Sequence, residues 1–166
     1  RTAFQMRDGE PLQIIAPALR LNLPLVDISD RKPDDREAEA DRLATEEAQR
    51  PFDLNKDPLL RSLLIRLEGD EHLLLLTLHH IISDGWSMSI FYRELGLLYE
   101  AFSQGQSSPL PDLPIQYADF AEWQRKWLHG SVLDKQLSYW KKQLAGVPSV
   151  LQLPADRPRP AVQSFR

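Results

Sequence analysis

Leu73-Leu74-Leu75-Leu76-Thr77-Leu78-His79-His80-Ile81-Ile82-Ser83-Asp84-Gly85-Trp86 is the stretch that decides the fold. An apolar run ends in two histidines, then an Asp-Gly pair, then a return to helical spacing. The run lacks polar alternation. A strand buried on both faces has that pattern, so it is expected at the centre of its sheet. A buried helix competes with this reading. The short length and the preceding Glu68-Gly69-Asp70-Glu71 favour a strand. Residues 59–67 form a second apolar run, and with residues 72–80 they predict an antiparallel hairpin.

Successive strand side chains point to opposite faces. If the strand persists to its histidines, His80 shares a face with Leu74, Leu76 and Leu78. His79 then shares the other with Leu73, Leu75 and Thr77. One imidazole can then face a cleft while the other is packed and hydrogen-bonded. Asp84-Gly85 is expected to form a tight turn before a helix starting near Trp86. Gly85 tolerates unusual backbone angles, and its amide beside a helix start is a candidate donor to a developing oxyanion. An Asp at such a turn is more often scaffold than catalyst.

Plainer readings compete. From composition alone, adjacent histidines in a chain with four are more readily packing residues than a site. A metal site is disfavoured because His79 and His80 diverge on a strand and no HxH or HExxH spacing is present. Ser83 and Ser87 lack the Gly-x-Ser-x-Gly surroundings of a nucleophile. No Gly-rich loop offers a phosphate cradle.

Working outward, residues 2–6 and 12–16 predict two strands, with Asp8-Gly9 at the bend. Residues 23–28 predict a third strand. Residues 33–50 predict a mostly exposed helix that stops near Pro51. Asn55-Lys56-Asp57-Pro58 is loop chemistry. Three helices follow, at 86–102, 117–128 and 132–144, with a Ser/Pro/Gly-rich loop at 105–114 and Gly146 as a C-cap. The fold class expected is α/β, a mixed, mostly antiparallel sheet packed with helices.

Composition excludes several classes. The 166 residues are 42% hydrophobic and 27% charged, as in a globular domain, and the net charge of -4 offers no basic field to nucleic acid. The absence of cysteine rules out disulfides and Cys chemistry within these residues, and fits a cytoplasmic setting. No apolar run approaches the roughly 20 residues of a membrane span. Arg1-Thr2-Ala3-Phe4 reads as the middle of a longer protein.

At this point the residues resemble a family. Leu78-His79-His80-Ile81-Ile82-Ser83-Asp84-Gly85-Trp86-Ser87 resembles the HHxxxDG core motif of nonribosomal peptide synthetase condensation domains. The wider superfamily, similar to chloramphenicol acetyltransferase, shares only HxxxDG. Arg1-Thr2-Ala3-Phe4 resembles the end of an upstream RHExLRTxF motif. Pro51-Phe52-Asp53-Leu54 with Pro58-Leu59-Leu60-Arg61 resembles the segment before the family's hairpin. Tyr117-Ala118-Asp119-Phe120-Ala121-Glu122-Trp123 resembles YxDFAxW, and Leu153-Pro154-Ala155-Asp156-Arg157-Pro158-Arg159-Pro160 a linker found next.

The resemblance implies a V-shaped, two-lobed fold in which residues 1–166 are most of the first lobe, without its start and without the second lobe. It implies amide formation between a donor acyl or peptidyl thioester and the amine of an acceptor aminoacyl thioester. Both would be tethered by phosphopantetheine to upstream and downstream carrier domains, with an adenylation domain in the same assembly line. No cofactor would be held by the domain itself. His80 would be the central residue, as general base or as a positioning group, with Gly85 as amide donor. His79 would be structural, and Asp84 would pair with Arg1. Ser83, Trp86 and Tyr117 are the residues expected near substrate, although Trp86, Tyr117 and Trp123 read most simply as core aromatics. The rival readings are an epimerisation domain and a non-catalytic, partner-recruiting module of the same fold. The 166 residues alone are not expected to catalyse.

Overall fold

The computed structural model of the protein describes residues 1–56, 58–151, 153, 154, 156–158, 160 and 162. Asp57, Ala155 and Arg159, within two of the stretches quoted above, therefore lie outside the described residues. The chain divides into two compact units, Arg1–Asp112 and Leu113–Arg166.

The first unit opens on strands β1 (Thr2–Arg7) and β2 (Glu10–Ile15), which pair antiparallel with Arg7 opposite Glu10. The two-residue turn needs positive φ at both centres, and Asp8 (52°) and Gly9 (82°) supply it. Strand β3 (Leu25–Asp27) is shorter than the expected 23–28. Helix α1 (Pro33–Gln49) follows, with Pro33 at its start, where no intrahelical N–H is required. Along this helix Arg42 bridges Glu39 and Glu46. Pairs of this kind contribute only a few tenths of a kcal/mol each, about 0.3–0.5.

Strands β4 (Leu60–Glu68) and β5 (Glu71–Leu78) make the expected hairpin, turning at Gly69 with φ of 47°. Strand β3 joins parallel to β4, so the sheet order is β3-β4-β5 and the sheet is mixed. This corrects one expectation: β4, not β5, is central. The apolar run of β5 lies at an edge, and Leu74 is 41% exposed. Apolar character on both faces records burial of side chains, not pairing of the backbone, so it cannot place a strand within the sheet.

Parity organises the core. Leu63, Ile65 and Leu67 share a face of β4, and Leu73 and Leu75 lie on the matching face of β5. Helix α1 covers this face through Ala40 and Leu43, around the buried Ile65 and Ile28. Burying such a side chain is worth about 1.5–3 kcal/mol.

Helix α2 (Gly85–Ser103) closes the secondary structure of the first unit. The second unit holds α3 (Tyr117–Trp127) and α4 (Gly130–Gln143). On α3, Tyr117, Phe120, Trp123 and Trp127 form a ladder of ring contacts, with the two tryptophans stacked at 5.6 Å. Gly146 follows the end of α4 in the left-handed region, where a Cβ would be strained. The expected core aromatics are exposed: Trp86 by 82%, Tyr117 by 73% and Trp123 by 54%. Helical periodicity finds an apolar stripe but not what covers it. Among the described residues, no helix is long and apolar enough to cross a membrane.

Candidate active site

Strand β5 ends at Leu78, so the alternation expected to separate the histidines stops one residue short of them. The backbone instead turns: the Ile82 N–H donates to the His79 carbonyl at 3.1 Å, and the Ser83 hydroxyl donates to the same oxygen at 3.3 Å. The two rings still enter different surroundings. The His79 amide donates to the Leu59 carbonyl at 3.0 Å, which continues the ladder at the start of β4. Its ring meets the Phe52 ring edge-on at 5.6 Å, and its Nδ1 accepts the Ile81 N–H at 3.0 Å. His79 is half-buried, whereas His80 stands exposed at the head of the turn.

Asp84 is the N-cap of α2. Its Oδ1 accepts the Ser87 N–H, and its own N–H donates to the Ser87 hydroxyl, both at 2.8 Å. This reciprocal arrangement satisfies amides that a helix start would leave open. The Ser87 N–H donated to the carboxylate is the main reason Asp84 titrates below the usual carboxylate range. The Ser87 hydroxyl, the His80 imidazole and the Trp86 amide lower it further.

The expected pair with Arg1 is not formed among the described residues. Arg1 donates from Nη1 to the Pro17 carbonyl at 2.8 Å, at the open end of the β1–β2 hairpin. The Asp84 carboxylate is already committed to its own helix.

Gly85 also departs from expectation. It is the first residue of α2 rather than part of a tight turn, and its φ is not positive. A Cβ there would meet nothing within 4 Å. What this position retains is its amide. Trp86 and Ser87 amides face Asp84, and the Met88 N–H donates to the Asp84 carbonyl at 3.1 Å. The Gly85 N–H has no hydrogen-bond partner among the described residues. Exposed His80 and this open amide therefore lie on one short segment, between a sheet end and a helix start.

Of the residues expected near substrate, Ser83 spends its hydroxyl on the His79 carbonyl. Trp86 presents an open ring while its carbonyl accepts from the Ser89 hydroxyl. Tyr117 opens α3 in the second unit, against Phe120. Among the described residues, no group of three His, Cys, Asp or Glu side chains could hold a metal ion.

Sequence reasoning missed the support behind His79. Arg61, on the α1-facing side of β4, donates from Nη2 to the carbonyls of Glu47 (3.0 Å) and Arg50 (2.9 Å), and from Nη1 to that of Pro51 (3.2 Å). Its Nε pairs with the Glu47 carboxylate, and its Cζ lies 3.8 Å from the centre of the Phe52 ring. The signal in the sequence was an arginine within an apolar strand, at the parity of Leu63 and Ile65.

Comparison with known proteins finds that the family model described as "Condensation domain" matches residues 1–166. A linear gramicidin synthase polypeptide of Brevibacillus parabrevis is 52% identical over the whole chain, which spans only 2% of that relative's length. The X-domain in its complex with OxyB from teicoplanin biosynthesis superposes with a TM-score of 0.80 at 31% identity, covering 98% of this chain and 35% of that one. The first condensation domain of the calcium-dependent antibiotic synthetase, in complex with a substrate analogue, gives 0.73 at 25% identity over 89% of this chain and 35% of that one.

Proposed function

The chain belongs to the condensation-domain family, and from that premise we propose that it contributes the imidazole for amide formation between two carrier-bound thioesters in nonribosomal peptide synthesis. The observation that carries the reading is an exposed His80 on the same short segment as the unpartnered Gly85 amide, between the end of β5 and the start of α2.

The chemistry is modest in its demands. A thioester is already activated, so no covalent enzyme intermediate is required. The acceptor amine attacks the donor carbonyl carbon, and a C–N bond forms. The tetrahedral intermediate then expels the thiolate as the C–S bond breaks. His80 meets the amine and receives its proton, which ends on the departing sulfur. The Gly85 N–H faces the oxygen that gains charge. Asp84 and His79 hold the two ends of the segment that carries these groups, so positioning is the main contribution of the scaffold.

The donor and acceptor arms are phosphopantetheine chains belonging to upstream and downstream carrier domains, and the domain holds no cofactor of its own. An adenylation domain in the same cytoplasmic assembly line loads the acceptor. The 166 residues form part of the first of two lobes. Their coverage of about a third of the solved neighbours supports that reading.

Reconstitution of the intact domain with a donor-loaded and an acceptor-loaded carrier tests the reading. Amide-linked product on the acceptor carrier is expected. Solvent deuterium entering the α-carbon without amide formation would replace the reading by epimerisation. Capture of a tailoring enzyme with neither chemistry would replace it by partner recruitment.

A further inference from the structure

The cluster behind His79 is made of groups that the mechanism above does not use. Arg61 gathers three carbonyls from the C-terminal end of α1 and the residues just after it, together with the Glu47 carboxylate. The last carbonyls of a helix lack intrahelical donors, and a planar guanidinium supplies several in one plane. Both charged side chains are nearly buried, at 11% and 13% exposure. A cation held this rigidly is also a flat surface, and the Phe52 ring lies on it at 3.8 Å. Phe52 also meets His79, whose ring lies at an interplanar angle of 88° to it.

The orientation of the His79 ring has a chemical consequence. The Ile81 N–H donates to Nδ1, so that nitrogen presents its lone pair and the ring proton of the neutral form sits on Nε2. Rotation of the ring would remove the acceptor, and the Ile81 amide would lose its partner in the turn. His80 lies between the two residues joined by that bond. A path of direct contacts therefore runs from Glu47 through Arg61, Phe52 and His79 to the backbone on either side of His80.

Resting on the amide-forming role proposed for His80, we propose that Arg61 and Phe52 are positioning residues for the reaction. They fix the plane of the His79 ring with Nδ1 toward the Ile81 amide, and so hold the turn that presents His80. Neither touches substrate. Their effect should appear in kcat and in the tautomer of His79, not in the affinity for loaded carriers.

The test uses the intact domain with 15N-labelled histidine, assigned by loss of the His79 resonances in His79→Gln. Wild type should show His79 as a single neutral tautomer with its proton on Nε2. Phe52→Leu removes the ring, Phe52→Tyr keeps it, and Arg61→Lys keeps the charge but not the plane. Phe52→Leu and Arg61→Lys should each mix the tautomers and lower kcat by about 10–100-fold, with KM for both loaded carriers unchanged. Phe52→Tyr should restore both signals.

Wild-type kcat and an unchanged His79 tautomer in folded Phe52→Leu would overturn the proposal. So would an equal loss of kcat in Phe52→Tyr. If Phe52→Leu fails to fold, Arg61→Lys decides by the same two signals. Should wild type form no amide at all, the reading of His80 fails, and the tautomer response of the variants still decides the role of Phe52 and Arg61.

Discussion

His79 and His80 are neighbours in sequence and opposites in surroundings. His79 is held on three sides: its amide by Leu59, its ring by Phe52, and its Nδ1 by the Ile81 N–H. His80 projects from the turn, exposed, with the charge of Asp84 nearby. The packed side continues into the core around Ile65, and the open side continues into the start of α2. An exposed imidazole such as His80 can be held in place without itself being buried. Its backbone is held by a neighbour that is packed.

Substitutions at the packed and open ends should differ in their effects. The largest effect on stability is expected at the packed end. Ile65→Ala removes a fully buried side chain between α1 and the sheet and should cost roughly 2–5 kcal/mol in the unfolding free energy. Chemical denaturation of the intact domain checks it. A loss below about 1 kcal/mol would mean that α1 and the sheet are not a tightly packed core.

A smaller loss is expected one step outward. His79→Ala forfeits a ring contact and a hydrogen bond to the turn, together worth about 1–2 kcal/mol, and should lower the melting temperature accordingly. No change in melting would place His79 outside the packed side.

The smallest effect belongs to Asp84. Its folded carboxyl titrates below the ordinary value, chiefly because the Ser87 amide donates to the ionised form. The stabilisation is therefore complete above the ordinary carboxylate value. It is lost as pH falls through the lowered one. Asparagine caps helices about as well as aspartate. Asp84→Asn should match wild type in melting at neutral pH and melt with a slightly weaker dependence on acid. A large loss at neutral pH would show that Asp84 does more than cap α2.

Much of this arrangement was legible in the sequence. Asp8-Gly9 announced a two-residue turn because few other pairs accept positive φ twice. The hairpins followed from short runs flanking turn residues, α2, α3 and α4 from apolar periodicity, and α1 from its Ala-, Glu-, Asp- and Arg-rich composition. Three features did not. The place of β5 at the sheet edge depends on β3 pairing with β4, a contact across about 40 residues that no local pattern encodes. Strand parity at His79 and His80 assumed a strand that in fact ends at Leu78. The support from Arg61 and Phe52 needs the end of α1 to meet β4. The residues were visible as a motif, but their contact was not. The exposed aromatics of α2 and α3 show the converse limit, since an apolar stripe is readable without its partner.

Under the proposed function, His80 supplies the reactive imidazole while His79 serves the fold. The direct measurement is single-turnover amide formation between loaded carriers by the intact domain carrying His80→Ala, with melting recorded on the same preparation. A rate lower by roughly 10²–10⁴-fold is expected, with a melting temperature equal to wild type. A folded His80→Ala domain that forms the amide at the wild-type rate would contradict it.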